Sequence, residues 1–254
     1  MVLAAWPDAA ELCGYCDAPD MTPELVEALV RLTEEIIGEP LGHTVRKLFP
    51  QALDRSIRDE VVLAWEGRKG GPSRKGGLRL SNKLSSANHV QISAMRFPRP
   101  KGGAYPADWG QFSVRVRSSA PAALQVLTSL GRYAELAQTF FARADSPQWW
   151  DSLAQARAAH PEALALGRLR FASQRGWAIS ERLGWINCWG SRAAAELGLQ
   201  QQDAAACAER VECTADGGRL LWLTAAPFDF GDEGHRSRHA ALMNHLAPHR
   251  HDGD

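Results

Sequence analysis

His235 and His239 stand four residues apart in the stretch TAAPFDFGDEGHRSRH, residues 224–239, with Asp232 and Glu233 just ahead of them. On a helix both imidazoles would face one way, and one of the acids could complete a three-ligand zinc site. The helical metalloprotease pattern requires Glu directly after the first His, and position 236 is Arg. Arg236 and Arg238 would also set positive charge beside any cation. Acids ahead of a helix have a simpler use, since they cap its first turn and oppose its dipole. The stretch therefore reads as a strand end at Thr224, a loop bearing Pro227, and an acid-capped helix from about His235, with no metal site.

Cys13 and Cys16 have the spacing of a redox dithiol. Such a site works by stabilising a thiolate, and here the pair runs into Asp17, Pro19 and Asp20, where carboxylates raise a thiol pKa. Cys188, Cys207 and Cys213 are scattered and offer no second pair for zinc. No Gly-x-Ser-x-Gly elbow and no glycine-rich phosphate cradle occurs. Adjacent acids such as Glu34 and Glu35 fall on a solvated helix face, and His245, His249 and His251 form a loose tail with no assigned role. These patterns predict no catalytic residue, no cofactor and no enzyme, with a metal-dependent hydrolase centred on His235 and His239 as the least favoured alternative.

Charge is the next candidate chemistry. The net charge is zero, but residues 1–65 hold five Lys/Arg against twelve Asp/Glu, residues 66–118 eleven against two, and residues 119–254 thirteen against fifteen. The basic centre could neutralise phosphates, with Arg68, Lys69, Arg74 and Lys75 in a run that extends to Lys83. It lacks the interleaved aromatics of a single-strand platform, so a solvated loop is the favoured reading and nucleic acid a lesser one using residues 68–117. The segregated charge means either that these segments fold beside each other and neutralise, or that the protein presents two faces of opposite potential to a partner.

The elements that would position these residues are partly legible. Thr22 can cap, Pro23 fits the first helical position, and Leu25, Leu29, Leu32 and Ile36 form a stripe before Gly38 and Pro40. A second helix is expected over QALDRSIRDEVVLAWEG, a third from Pro121 to Ala142, and a fourth from Ser146 and Pro147. Between the first two and the rest lies GRKGGPSRKGGLRL, whose glycines and basic residues predict a mobile loop near 67–78. HVQISAMRF and GQFSVRVRS read as strands, the second alternating Phe112, Val114 and Val116 with Ser113, Arg115 and Arg117. Further strands are expected at 168–172 and 183–189, and RVECT with RLLWLTA forms a hairpin across ADGG. Strands cluster without strict alternation with helices, so the expectation is one α+β domain over residues 1–254, a mostly antiparallel sheet packed with several helices. No apolar run approaches the roughly 18 residues of a membrane helix. Asp8 and Glu11 come too early for a secretory signal, and five cysteines, an odd number, suit a reducing compartment. A cytoplasmic protein is expected, with no membrane partner and a homodimer left open.

The C-terminal third resembles the immunity protein 52 family, whose members accompany toxins in bacterial polymorphic-toxin and type VI secretion systems. The residues that carry the resemblance are Gly184 and Trp185, Leu223 and Thr224, Pro227, Asp229, and His235 at the last helix. It implies a non-enzymatic protein that binds and neutralises a cognate toxin in bacterial competition, for this family often a nuclease. Such an inhibitor could cover a basic cleft with acids imitating DNA phosphate, or set basic groups against catalytic acids. This chain offers Glu34, Glu35, Glu39, Asp229, Asp232 and Glu233 for the first and Arg68, Lys69, Arg74 and Lys75 for the second. Nine tryptophans suit large core layers, but Trp149 and Trp150 are adjacent and a helix cannot bury both equally, so one is expected as an exposed anchor.

Overall fold

The computed structural model describes residues 9–17, 21–38, 77–81, 89–97, 109–117, 120–146, 169–172, 178–181, 183–199, 201–229 and 231–249. Strands β1 (Ala9–Asp17), β2 (Gly77–Ser81), β3 (His89–Phe97), β4 (Trp109–Arg117), β5 (Phe141–Asp145), β8 (Ile186–Trp189), β9 (Arg210–Cys213) and β10 (Arg219–Trp222) form one sheet in the order β2-β3-β4-β1-β5-β8-β10-β9. Every pairing in it is antiparallel. β6 (Leu169–Ala172) and β7 (Ala178–Glu181) pair separately. The helices are α1 (Pro23–Ile37), α2 (Ala120–Thr128), α3 (Leu130–Leu136), α4 (Ser191–Glu196), α5 (Gln201–Cys207) and α6 (Glu233–Leu246). The protein is α+β, as expected.

Opposed residues of an antiparallel ladder share a face. Leu12, Val114, Ile92, Ala144 and Ile186 therefore line one side of the sheet, all buried. Helices α2 and α3 cover that side: Tyr133 stacks on Phe112 at 6.3 Å, and α3 passes β10 with Gly131 close against Leu220. The outer layer is α1, where Thr33 hydrogen-bonds Tyr133 at 2.8 Å. Thr22 Oγ1 accepts from the Leu25 N–H, Pro23 opens the helix, and the Gly38 N–H closes it on the Glu34 carbonyl. Its buried face is Val26, Leu29, Val30, Leu32 and Thr33, which keeps Leu29 and Leu32 of the expected stripe and adds the side that carries Thr33 to Tyr133. Leu25 and Ile36 end half-buried.

Three expectations need correction, and one strand was not foreseen. The helix expected to Ala142 breaks at Ser129 and stops at Leu136, and Phe141–Asp145 is a strand. The Phe140 N–H is captured by the Tyr15 carbonyl, so pairing with β1 outweighs the helical spacing of Phe140. β1 itself was hidden, since Ala10, Gly14 and the two cysteines give weak alternation. The basic loop ends earlier than expected, because Gly77 and Leu78 already pair with Met95 and Ala94. The strand expected over 183–189 starts only at Ile186. Residues 67–76 of that loop, the second expected helix, the helix from Pro147 and the tail beyond His249 lie outside the described residues.

The hairpin is as expected. The Thr214 N–H donates to the Gly218 carbonyl at 3.2 Å and the Gly217 N–H to the Thr214 carbonyl at 3.0 Å, a three-residue loop with a bulge. Its left-handed position, φ 87°, is filled by Gly217.

Candidate functional site

The residues with unusual chemistry gather where β5 and β10 end and β8 begins. β5 has polar residues at alternate positions, Arg143 and Asp145, on the side of the sheet opposite Leu12. Asp145 is fully buried and ion-paired with Arg143. It also accepts the Trp185 N–H at 3.0 Å. Burial pushes its carboxyl up to about 6, and Arg143 and the Trp185 N–H only partly offset this. Ahead of β8, Asn187 closes a loop on Gly184, accepting its N–H at 2.7 Å and donating to its carbonyl at 2.8 Å. A Cβ at Gly184 would lie 2.6 Å from Asp145 Oδ1 and 2.8 Å from the Ala144 carbonyl, which only glycine avoids.

Trp185 ties this knot to the end of β10. Its indole N–H donates to the Thr224 carbonyl at 2.9 Å, its own carbonyl accepts the Leu223 N–H at 3.0 Å, and its ring meets Trp222 edge-on at 5.6 Å. Thr224 Oγ1 then donates to the Ala226 carbonyl at 2.6 Å and starts the loop toward α6.

In that loop Phe228 is buried between His235 and His239, with ring centroids 5.3 and 5.7 Å away. The Asp229 N–H donates to His235 Nδ1 at 2.9 Å, which requires that nitrogen to be unprotonated. Asp229 Oδ1 accepts the Gly231 N–H, and Asp232 Oδ1 accepts the His235 N–H as the helix cap. That hydrogen bond holds the Asp232 carboxyl below the ordinary carboxylate range. Burial pulls the His239 imidazole down to about 4. Helix α6 thus starts at Glu233, two residues ahead of His235, and both imidazoles pack against one aromatic ring. Among the described residues no group of three or more His, Cys, Asp or Glu is placed to hold a metal ion.

The remaining candidates are dispersed. Glu35 accepts from Arg132 at 2.9 and 3.0 Å, joining α1 to α3, with Glu34 half-buried beside it. Asp229, Asp232 and Glu233 are exposed on the loop and first turn of α6. Glu39, Arg68, Lys69, Arg74, Lys75, Trp149 and Trp150 lie outside the described residues. Cys13 and Cys16 are buried on β1, three residues apart and so on opposite faces, a geometry in which they cannot bridge. Cys13 Sγ accepts from Gln111 Nε2 at 3.0 Å. Arg115, on the polar side of β4, pairs with Glu11 at 3.0 Å.

Sequence reading missed Arg143, Asp145 and Asn187. A polar residue at every second position of FARAD was the available signal, masked by the helical reading of Phe140.

An eight-stranded antiparallel sheet with α1, α2 and α3 layered on one side, and a knot of buried polar contacts where β5 meets β8, defines the class. The chain belongs to the family described as Domain of unknown function (DUF5953), which matches residues 71–242, from the basic segment into α6. Among solved structures, the chain is similar to the Pseudomonas aeruginosa type VI secretion system (T6SS) protein PA0821, at 13% identity and a TM-score of 0.53. The likeness covers 97% of this chain and 77% of that one. No curated protein matches.

Proposed function

We propose that this protein is a T6SS immunity protein, which binds and neutralises a cognate toxin, with a nuclease as the toxin class. One observation carries the reading: the likeness in fold to a T6SS protein runs over 97% of the chain. The resemblance of Gly184, Trp185, Leu223, Thr224, Pro227, Asp229 and His235 to immunity protein 52 supports it from the sequence side. So does the use made of the polar clusters. His235 holds a loop, His239 sits in the core, Cys13 and Cys16 face apart, and Asp145 is spent on Arg143 and Trp185. The exposed acids Asp229, Asp232 and Glu233 suit a basic nuclease cleft. The neutralisation of Arg115 by Glu11 removes one cation from a nucleic-acid reading.

The test is co-expression with any neighbouring gene whose product is toxic to cells. Cells survive the toxin only when this protein is present, and the two elute as a stoichiometric complex. Absence of both protection and complex ends the reading. Asp229→Lys with Glu233→Lys, which leaves the Asp232 cap in place, weakens the complex and makes it less salt-sensitive.

A further inference from the structure

Among the described residues β9 stands at one end of the eight-stranded sheet, with β10 on its inner side. The hydrogen bond from the Thr214 N–H to the Gly218 carbonyl fixes the parity of that ladder. Main-chain groups of Thr214 and Glu212 turn toward β10, so those of Val211 and Cys213 turn away. Cys213 is exposed and Val211 half-buried, which leaves the outer edge accessible. Such an edge is a template for another strand, and proteins ordinarily blunt it with charge.

The charge here is self-complementary. Arg210 and Glu212 sit two residues apart, on the same face, and pair with each other. The Arg210 guanidinium lies over the Trp222 ring at 5.2 Å, which holds it beside the strand. When two such strands run antiparallel about a two-fold axis through Val211, Arg210 of each copy opposes Glu212 of the other. Val211 then meets Val211, and its outward N–H and C=O exchange two hydrogen bonds across the axis. A two-fold one residue along would oppose Glu212 to itself, so the charges select one register.

We propose that β9 is an association edge whose partner is a second copy of this chain, the two pairing antiparallel about Val211 into a sheet continuous across a symmetric dimer. Sedimentation velocity of the full chain, from micromolar to submillimolar concentration, shows a reversible monomer–dimer equilibrium. Val211→Pro removes an N–H that points away from β10, so the melting temperature holds while the dimer is lost. Arg210→Glu and Glu212→Arg each weaken association at least several-fold, and the two together restore it. Amide exchange at Val211 slows as concentration rises. A wild-type chain monomeric through that range, a dimer that survives Val211→Pro, or a double exchange that does not restore association overturns the proposal.

Discussion

Gly184, Trp185 and Asp145 show how much can depend on one atom. The space a methyl group at 184 would take is held by Asp145 Oδ1 and the Ala144 carbonyl, neither of which can retreat without breaking the ion pair or the β5 ladder. Gly184→Ala lowers stability by about 1–3 kcal/mol, the usual cost of overpacking, read as a shift in urea midpoint at unchanged slope. Trp185→Phe keeps most of the ring and loses the N–H to Thr224, at a cost of about 1–2 kcal/mol. The cysteines make a separate prediction. Four are buried and Cys213 is exposed, so a thiol reagent titrates one site in the native protein and all five after denaturation. Cys213→Ser abolishes the fast reaction. Burial, with the Asp216 and Glu135 carboxylates, pushes the Cys188 thiol up to about 12, so it stays inert at neutral pH.

At the scale of elements, legibility followed local signals. Helix α1 was readable because Thr22 and Pro23 are start signals that act within one turn, and Thr22→Ala costs about 1 kcal/mol in thermal or urea unfolding. The β9–β10 hairpin was readable because a three-residue turn with Gly217 is a local event. α6 was readable from its acids, although Asp232 and not His235 marks its start. β1 and β5 were not readable, because their strand character comes from partners far along the chain: Cys13 pairs with both Ser113 and Arg143. Small residues such as Ala10 and Gly14 carry little strand preference, and tertiary pairing decided the matter. The knot at Asp145 was invisible for the same reason, since Trp185 and Arg143 meet only after β5 and β8 have paired. His235 and His239 both pack on one ring. Their shared contact, Phe228, could not be inferred from spacing along a helix.

Across the whole molecule, two buried groups set opposite responses to acid. Asp145 titrates near 6 when folded and near the ordinary carboxylate value when unfolded, so between about pH 4 and about pH 6 the native state binds more protons. Its contribution to stability falls as pH rises through that window. His239 titrates near 4 when folded and near 6.5 when unfolded, so there the unfolded state binds more protons, and stability falls as pH drops from about 6.5 to about 4. Each response spans up to about 3 kcal/mol, and in the natural chain they oppose. Urea midpoints of the wild type therefore change little across the window. Asp145→Asn unmasks a loss of stability on acidification, and His239→Gln unmasks a gain. A single slope shared by all three proteins would show that neither group is buried as described.

The position of β1 has a consequence for biogenesis. Of the described strands of the sheet it leaves the ribosome first, yet its neighbours in the finished sheet are β4 and β5. Until synthesis passes Arg117 both of its flanks await hydrogen-bonding partners, and until it passes Asp145 one still does; closing those contacts spans a long tether that slows the search for the native arrangement. The nascent chain is thus at its most aggregation-prone while the middle of the protein is being made, and a chaperone that shields residues 9–17 during that interval would raise the yield of folded protein.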